Sequence, residues 1–146
     1  MEKKIDVKIV TTSKDAKIPT YGTEFSAGAD LYSVEEVTIK KGEIKLISTG
    51  FTLEIPENFE AQIRPRSGLS LKHGITLINC VGTIDSDYRN VVGIPLINLG
   101  SEDYTIKIGD RVAQMVFAPV YQAGFKLNEK LSNTGRGLGG FGSTGK

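Results

Sequence analysis

Glycine spacing is the feature that most constrains how this chain can fold. The sequence contains 17 glycines among 146 residues, and many of them separate short segments that are β-branched or alternate between apolar and polar residues. Many short strands at fairly even spacing are typical of an all-β sandwich or barrel. The predicted strands are residues 5–10, 43–48, 51–55, 60–63, 76–79, 91–99, 104–108 and 112–120.

One short helix and a glycine-rich end interrupt this pattern. Ser67 suits an N-cap, residues 69–72 can form about one turn, and Gly74 suits the position that ends a helix. Residues 132–146 contain six glycines and only two large apolar side chains, Leu138 and Phe141. Such a segment cannot offset its ordering entropy alone. We therefore predict a β-barrel domain over residues 1–131 and a flexible tail over residues 132–146.

Composition excludes several classes of protein. A net charge of +1 argues against the basic face that duplex nucleic-acid binders usually carry. The longest nearly apolar runs, residues 91–99 and 112–120, are too short to span a membrane. The first six residues lack the apolar run of a secretory signal, which favours a cytoplasmic protein. Cys80 is the only cysteine, and its apolar neighbours predict a buried, inert thiol.

The chemistry available to this chain is also limited. His73 is the only histidine, so clustered His/Cys zinc sites are excluded and a Ser–His–Asp triad would need His73 as its base. We expect His73 to be a polar residue near the end of the short helix. Gly137 and Gly139 do not follow a strand or precede a helix, so a dinucleotide-binding loop is excluded. The remaining carboxylates, arginines and glycine-rich loops suit phosphate chemistry.

Five segments place polar or glycine residues where a fold alone would not require them. The first to the fifth segment are SAGADL (residues 26–31), RPRSGLS (64–70), NCVGTIDSDYR (79–89), GDRVAQ (109–114) and RGLGGFGSTG (136–145). In this order and at these separations they resemble the five motifs of homotrimeric dUTPases, and the resemblance covers nearly the whole chain. Ala29, Asn90, Val91 and Leu138 depart from the usual pattern without removing a residue that has an assigned chemical role.

The resemblance implies a fold and an activity. The expected fold is an all-β, jelly-roll-like β-barrel with one short helix. The expected activity is dUTP diphosphatase, a nucleotide hydrolase that converts dUTP to dUMP and pyrophosphate with Mg²⁺. The expected assembly is a homotrimer whose sites are shared between subunits. The second and fourth segments would come from one chain, the third from a neighbour and the tail from the remaining chain.

Asp85 is the expected catalytic residue. On sequence alone it is equally well a turn aspartate, at the end of a strand that enters a hairpin. The resemblance implies that it is the general base for the water that attacks the α-phosphorus, a task that suits a carboxylate. We expect Asp87 to remain a turn or charge-partner residue.

The third segment also supplies the expected nucleoside contacts. Asn79 could be a strand-end amide bonded to backbone, but its donor and acceptor also match the edge of uracil. The resemblance adds backbone groups of Gly82, Thr83 and Ile84 to that edge. It places Tyr88, otherwise a packing aromatic, under the deoxyribose, where it would exclude a 2′-hydroxyl.

Phosphate contacts are expected from the second and fourth segments. Arg66, Ser67 and Gly68 lie at the start of the short helix, and free N–H groups beside an arginine suit a phosphate. Ser67 as an N-cap is the simpler interpretation and compatible with this one. Gln114 could be an ordinary solvent-facing strand residue, but the resemblance implies that it donates to phosphate.

The tail could be a disordered glycine-rich end, but the resemblance makes it a lid. Arg136 would then bind the γ-phosphate and Phe141 would stack on uracil. Gly142, Ser143 and Thr144 would surround the remaining phosphate oxygens.

No direct metal ligand is expected, because Mg²⁺ usually binds through substrate phosphates. Asp30 is best interpreted as a structural carboxylate bonded to backbone, which at most contacts a metal-bound water.

Two rival functions are weaker. A dCTP deaminase shares the expected fold, but those enzymes carry a catalytic glutamate on the strand after the third motif, where this chain has Pro95. A non-catalytic nucleotide-binding β-module would need neither Asp85 nor the complete tail.

Overall fold

The computed structural model describes residues 4–142, which form twelve strands and one short helix. In chain order they are β1 (Lys8–Thr11), β2 (Thr20–Tyr21), β3 (Ala29–Tyr32), β4 (Val37–Ile39), β5 (Ile44–Ser48), β6 (Phe51–Glu54), β7 (Phe59–Arg64), α1 (Ser67–His73), β8 (Ile75–Leu77), β9 (Gly82–Ile84), β10 (Gly93–Asn98), β11 (Tyr104–Ile106) and β12 (Arg111–Pro119). The predicted all-β class with one short helix is confirmed, and every predicted strand overlaps an observed one. The sequence pattern missed β2, β3 and β4, which have two to four residues each, whereas β9 corresponds to the strand expected directly before Asp85.

The strands pair antiparallel in four sheets. The largest has the order β2-β3-β12-β7-β9, and a second has the order β5-β10-β8. The remaining pairs are β1 with β6 and β4 with β11. β12 is the longest strand, with nine residues, and it lies between β3 and β7. It therefore joins parts of the chain that are far apart in sequence.

One hydrophobic core holds these sheets together. Alternate residues point inward along β3, β6, β8, β9 and β10. Leu31, Ile47, Phe51, Ile94 and Leu96 are completely buried within a single cluster. Complete burial of one such side chain stabilises the fold by roughly 1.5–3 kcal/mol. The core thus lies between the sheets, and the segments with chemical interest lie at the ends of its strands.

The helix differs from the prediction at its start. Arg66 is the N-cap, with an extended backbone (φ −95°, ψ 129°) and no side-chain cap hydrogen bond, and Ser67 is already helical. Ser67 as N-cap is therefore wrong, because the extended turn occurs one residue earlier. Gly74 ends the helix in the left-handed region (φ 69°), where glycine is unstrained. His73 lies in the last helical turn, as expected, where its ring centroid is 4.7 Å from that of Tyr104.

The chain around Cys80 also differs from the prediction. β8 ends at Leu77, so Asn79 lies in a connecting segment rather than within a strand. Cys80 is exposed, and the expectation of a buried thiol is wrong. The apolar run that predicted burial is divided between two strands and the exposed loop that joins them.

The last strand ends at Pro119, and the described residues from Tyr121 onward form no strand or helix. Several large apolar side chains of this stretch are almost fully exposed, including Tyr121 (93%) and Phe125 (97%). Within residues 4–142, no helix has the length and apolar character needed to cross a bilayer.

Candidate active site

A polar cavity of about 400 Å³ lies where the first, second and fourth segments meet. Its lining residues are Gly22, Ser26, Ala27, Gly28, Asp30, Arg66, Ser67, Gly68, Arg111 and Gln114. Strand register explains the convergence: Gln114 on β12 pairs with Asp30 on β3 and with Arg64 at the end of β7. We call this cavity the anion pocket, for the charges described next.

Two arginines and one aspartate set the charge of the anion pocket. The Arg66 Nε donates to Asp30 Oδ1 at 3.0 Å, and the Arg111 Nη1 donates to Asp30 Oδ2 at 3.3 Å. Both carboxylate oxygens thus accept from guanidinium groups, and the expectation that Asp30 bonds to backbone is wrong. Two positive charges against one negative charge leave the pocket with a net charge of +1, which suits a polyanion such as a phosphate chain.

Gln114 lines the anion pocket, and its contact with phosphate stays a prediction. Its Nε2 donates to the Pro65 carbonyl at 2.9 Å, which ties the fourth segment to the second. Its side chain also lies directly against Gly28, where an added Cβ would be 3.1 Å from the Gln114 Cβ and would collide with the Gln114 amide oxygen. A side chain at position 28 would therefore displace the Gln114 amide from its present place.

Arg111 is the charged pocket residue that the sequence analysis did not name. It begins β12, and a register shift between Arg111 and Ala113 interrupts its pairing with β3. The available signal was a lone basic residue between Asp110 and an apolar strand, in a chain already suited to phosphate chemistry. Its place in the pocket depends on its tertiary contact with Asp30, which the local sequence does not show.

Asp85 does not line the anion pocket. It follows β9 directly and is exposed, and its carbonyl accepts from the Tyr88 N–H at 3.2 Å in a turn. The hairpin interpretation is wrong, since β9 pairs with β7 whereas β10 belongs to the other large sheet. Residues 85–92 therefore cross between two sheets.

Strand register shows how far Asp85 is from the pocket of its own chain. Ile84, just before Asp85, pairs with Ala61, which is three residues or roughly 10 Å from the Arg64 end of β7. β9 is also separated from β3, which carries Asp30, by β7 and β12, a lateral distance of roughly 14 Å. A short aspartate side chain cannot cover these distances.

The predicted nucleoside contacts form a separate group at the start of β9. A Cβ added at Gly82 would be 3.4 Å from the Asn79 Nδ2 and 3.2 Å from the Ile63 Cβ, so the Asn79 amide lies over this glycine. Along the strand, Thr83 is exposed and Ile84 is buried. The Tyr88 hydroxyl donates to the Val91 carbonyl at 3.2 Å.

The tail residues lie apart from both groups. The Arg136 Nε donates to the Gly139 carbonyl at 2.8 Å, within the tail itself. Phe141 is fully exposed and has a left-handed backbone (φ 49°), followed by Gly142 (φ 87°). Ser143 and Thr144 lie outside the described residues. One chain therefore brings three of the five segments together, while the third segment and the described part of the fifth, residues 136–142, do not line the pocket.

Among residues 4–142, no group of three or more His, Cys, Asp or Glu side chains is placed to hold a metal ion.

Comparison with known proteins identifies the family to which the chain belongs. The dUTPase family model matches residues 14–145. A protein of Nautilia profundicola is 55% identical over 140 residues, which is 96% of this chain and 99% of that protein. One from Finegoldia magna is 52% identical over 141 residues, or 95% and 98% of the two chains. Both are named deoxyuridine 5'-triphosphate nucleotidohydrolase.

Solved structures agree with this assignment. The dUTPase of Staphylococcus bacteriophage 80alpha with dUPNHPP superposes with a TM-score of 0.90 and 27% identity, over 97% of this chain and 99% of that chain. A mutant dUTPase of S. aureus phage phi11, described for its coordination of a structural Mg(II) ion, gives a TM-score of 0.81 over 88% of this chain and 100% of that chain. At 24% identity the phage phi11 protein supports the fold alone.

Proposed function

Because the chain belongs to the dUTPase family and hydrolyses dUTP to dUMP and pyrophosphate, we propose that Asp85 is the general base of this reaction. Its carboxylate would take a proton from water as the water oxygen bonds to the α-phosphorus. The bond from the α-phosphorus to the bridging oxygen would break, and pyrophosphate would leave. The observation that carries the proposal is the division of polar groups: a cationic pocket in one place and an exposed carboxylate in another.

The triphosphate is proposed to bind in the anion pocket. Arg66 would bind phosphate oxygens through its charge, and the Ser67 hydroxyl, the Gly68 N–H and the Gln114 amide would donate to the oxygens between. Arg111 joins this set, because its bond to Asp30 holds its guanidinium group at the pocket. Phosphoryl transfer depends mainly on such positioning and charge neutralisation.

The nucleoside is proposed to bind at the third segment. The Asn79 amide and the backbone groups of Gly82, Thr83 and Ile84 would pair with the uracil edge, and cytosine would leave these groups wrongly paired. Tyr88 would contact the deoxyribose on the face where a ribose hydroxyl would project. The Asn79 position over Gly82 supports this arrangement.

The tail, residues 132–146, is proposed to close over bound substrate as a lid. Arg136 would bind the γ-phosphate, Phe141 would stack on uracil, and Gly142, Ser143 and Thr144 would contact phosphate oxygens. The exposure of Phe141 supports this role, because an aromatic ring in water gains most from a stacking partner.

Magnesium is proposed to enter with the substrate, bound by the phosphate oxygens. It would neutralise phosphate charge as pyrophosphate leaves. Asp30 would contact at most a metal-bound water, since both its oxygens accept from arginines. Mg²⁺ usually keeps several waters and binds through substrate phosphates, which is the arrangement proposed for this site.

The assembly is proposed to be a homotrimer with three shared sites. One chain would supply the anion pocket, a neighbour the third segment, and the remaining chain the tail. The strand register supports this division, because Asp85 cannot reach the pocket of its own chain. The proposed partners of each chain are then two further copies of the same chain. Neither nucleic acid nor a membrane is a proposed partner, and the proposed compartment is the cytoplasm.

Pyrophosphate release in the presence of Mg²⁺ tests the proposed specificity. The expected kcat/KM for dUTP exceeds the values for dCTP, dTTP and UTP by large factors, because a site that leaves buried polar groups unpaired rejects a substrate strongly. Comparable values for the four nucleotides would refute the proposed uracil and deoxyribose contacts.

A further inference from the structure

Residues 85–91 form the loop that carries the proposed base, and both ends of this loop are fixed. Before the loop, Ile84 is buried and pairs with Ala61 on β7. After it, Val92 is 1% exposed, and its N–H donates to the Phe51 carbonyl at 2.9 Å. The residues between these two anchors form no strand or helix, and most of them are exposed. We call residues 85–91 the base loop, and its conformation depends on bonds made within it.

Arg89 closes the base loop on itself. Its Nη1 donates to the Ser86 carbonyl at 2.7 Å and to the Tyr88 carbonyl at 3.1 Å. In the same turn the Tyr88 N–H donates to the Asp85 carbonyl at 3.2 Å. Hydrogen bonds from a charged donor are stronger than those between neutral groups. One guanidinium nitrogen thus holds the backbone on both sides of Asp87.

These bonds hold the loop without using the groups that are proposed to act on the substrate. Asp85 takes part through its carbonyl, so the turn does not engage its carboxylate. Tyr88 takes part through its N–H and carbonyl, and its hydroxyl donates to the Val91 carbonyl at 3.2 Å, farther along the loop. The bonds of the base loop therefore set the positions of Asp85 and Tyr88 relative to each other.

We propose that Arg89 is a positioning residue for the hydrolysis of dUTP, which holds Asp85 at the attacking water and Tyr88 at the deoxyribose through its two hydrogen bonds within the base loop. The inference rests on the proposed function, which gives Asp85 and Tyr88 their roles. Without Arg89 the exposed loop would populate other backbone conformations, because ordering a backbone costs entropy that bonds must offset. A displacement of about 1 Å can slow a reaction by as much as roughly 10²-fold.

Arg89→Met tests the proposal, since it removes the donor and keeps much of the length of the side chain. The kcat for dUTP should fall by roughly 10- to 100-fold. KM should change less, because the anion pocket holds the triphosphate. The ratio of kcat/KM for dUTP to that for UTP should also fall severalfold, because a displaced Tyr88 excludes a 2′-hydroxyl less well. This ratio does not depend on how much of the protein is folded, so a purely structural defect would leave it unchanged. A wild-type kcat and ratio would overturn the inference.

Lys8→Met is the matched control. The Lys8 Nζ donates to Glu54 Oε1 at 2.6 Å, and the charge of Arg89 acts more weakly on the same carboxylate, so both cations lower the pKa of Glu54. Lys8→Met removes a charge from this neighbourhood without changing the base loop, and both kcat and the dUTP-to-UTP ratio should remain at the wild-type value. An equal loss in Lys8→Met would overturn the inference, because charge in this region would then explain the effect.

Arg89→Lys is the conservative variant. A single nitrogen makes both bonds of Arg89, so a lysine ammonium group should restore part of the lost kcat and part of the dUTP-to-UTP ratio. Circular dichroism checks that each variant folds, and Arg89→Lys carries the test if Arg89→Met does not.

Hydrogen exchange tests the base loop without an assay of activity. The Tyr88 N–H should exchange at least severalfold faster in Arg89→Met than in the wild-type protein, because its bond to the Asp85 carbonyl belongs to the turn that Arg89 holds. The amides of β7 and β9 should exchange at the wild-type rate. Unchanged exchange of the Tyr88 N–H would overturn the inference even if kcat fell.

A double-mutant cycle separates this inference from the proposed function. If Arg89 acts through Asp85, adding Arg89→Met to Asp85→Asn should lower kcat much less than Arg89→Met does alone. An equal loss in both backgrounds would overturn the inference and leave Asp85 standing as the base. Wild-type turnover in Asp85→Asn would instead refute the proposed base, while faster Tyr88 exchange and a lower dUTP-to-UTP ratio in Arg89→Met would still show that Arg89 positions Tyr88.

Discussion

The anion pocket and the third segment are both formed at strand ends, yet only the pocket is completed within one chain. Strand pairing brings Asp30, Arg64 and Gln114 side by side. The hydrogen bond from the Gln114 Nε2 to the Pro65 carbonyl holds the second and fourth segments together at the pocket. The third segment has Asn79 folded over Gly82, but Asp85 is exposed and does not line the anion pocket. Under the proposed assembly, the pocket of one chain, the binding half, and the Asp85 loop of a neighbour, the reacting half, would form one site.

The largest effect is expected from the reacting half. Asp85→Asn should lower kcat by roughly 10²–10⁴-fold, the usual contribution of a positioned base, and should leave KM nearly unchanged. The substitution is nearly isosteric, so the thermal unfolding midpoint should remain close to the wild-type value. Asp87→Asn is the matched control, because that carboxylate lies two residues away and has no proposed role in the reaction. Wild-type turnover in Asp85→Asn would show that another group is the base.

Mixing two inactive proteins tests whether the halves belong to different chains. Arg66→Ala damages the pocket and Asp85→Asn damages the base, so hybrids should contain sites with both halves intact. With equal amounts and random assembly, about a quarter of the sites should recover, because each half is wild-type in half of the chains. Refolding each variant alone gives the baseline. If the mixture is no more active than that baseline, the site is contained within one chain.

The tail should contribute a smaller effect than the base. Phe141→Ala removes a proposed stacking contact, worth on the order of 1–3 kcal/mol in single-strand nucleic-acid binders, which corresponds to roughly 5–150-fold in kcat/KM. Leu138→Ala is the control, because Leu138 is equally exposed and apolar but has no proposed contact. Truncation after Leu131 should leave a folded trimer by circular dichroism and sedimentation, with activity reduced further than in Phe141→Ala. Full kcat/KM on dUTP in the truncated chain would refute the lid.

The smallest effect is expected from the carboxylate that links the two pocket arginines. Asp30→Asn keeps the shape of the side chain but removes the charge that orients Arg66 and Arg111. KM for dUTP should rise severalfold, an effect of about 1 kcal/mol for a charged hydrogen bond that is partly exposed, while kcat changes less. Asp15→Asn, a surface change away from the pocket, should leave both constants unaltered. A loss of kcat with unchanged KM would instead place Asp30 in the chemical step.

The local sequence pattern predicted where most strands lie along the chain but not which strands pair with each other. Segments of five or more residues with clear alternation, such as β5 and β10, were predicted close to their observed bounds. β2 and β4 were missed because two or three residues do not establish a period. The hairpin expected at Asp85 was wrong for a different reason. A turn follows β9, but β9 pairs with β7 rather than with β10, the next strand along the chain.

The sequence by itself determined the all-β class, the short helix, the family and the choice of phosphate chemistry, because each depends on residue type and spacing along the chain. Only the tertiary structure decided that Asp30 joins two arginines, that Arg111 belongs to the pocket and that Asp85 does not reach it. These facts depend on strand register between segments up to about 80 residues apart, which local alternation does not encode.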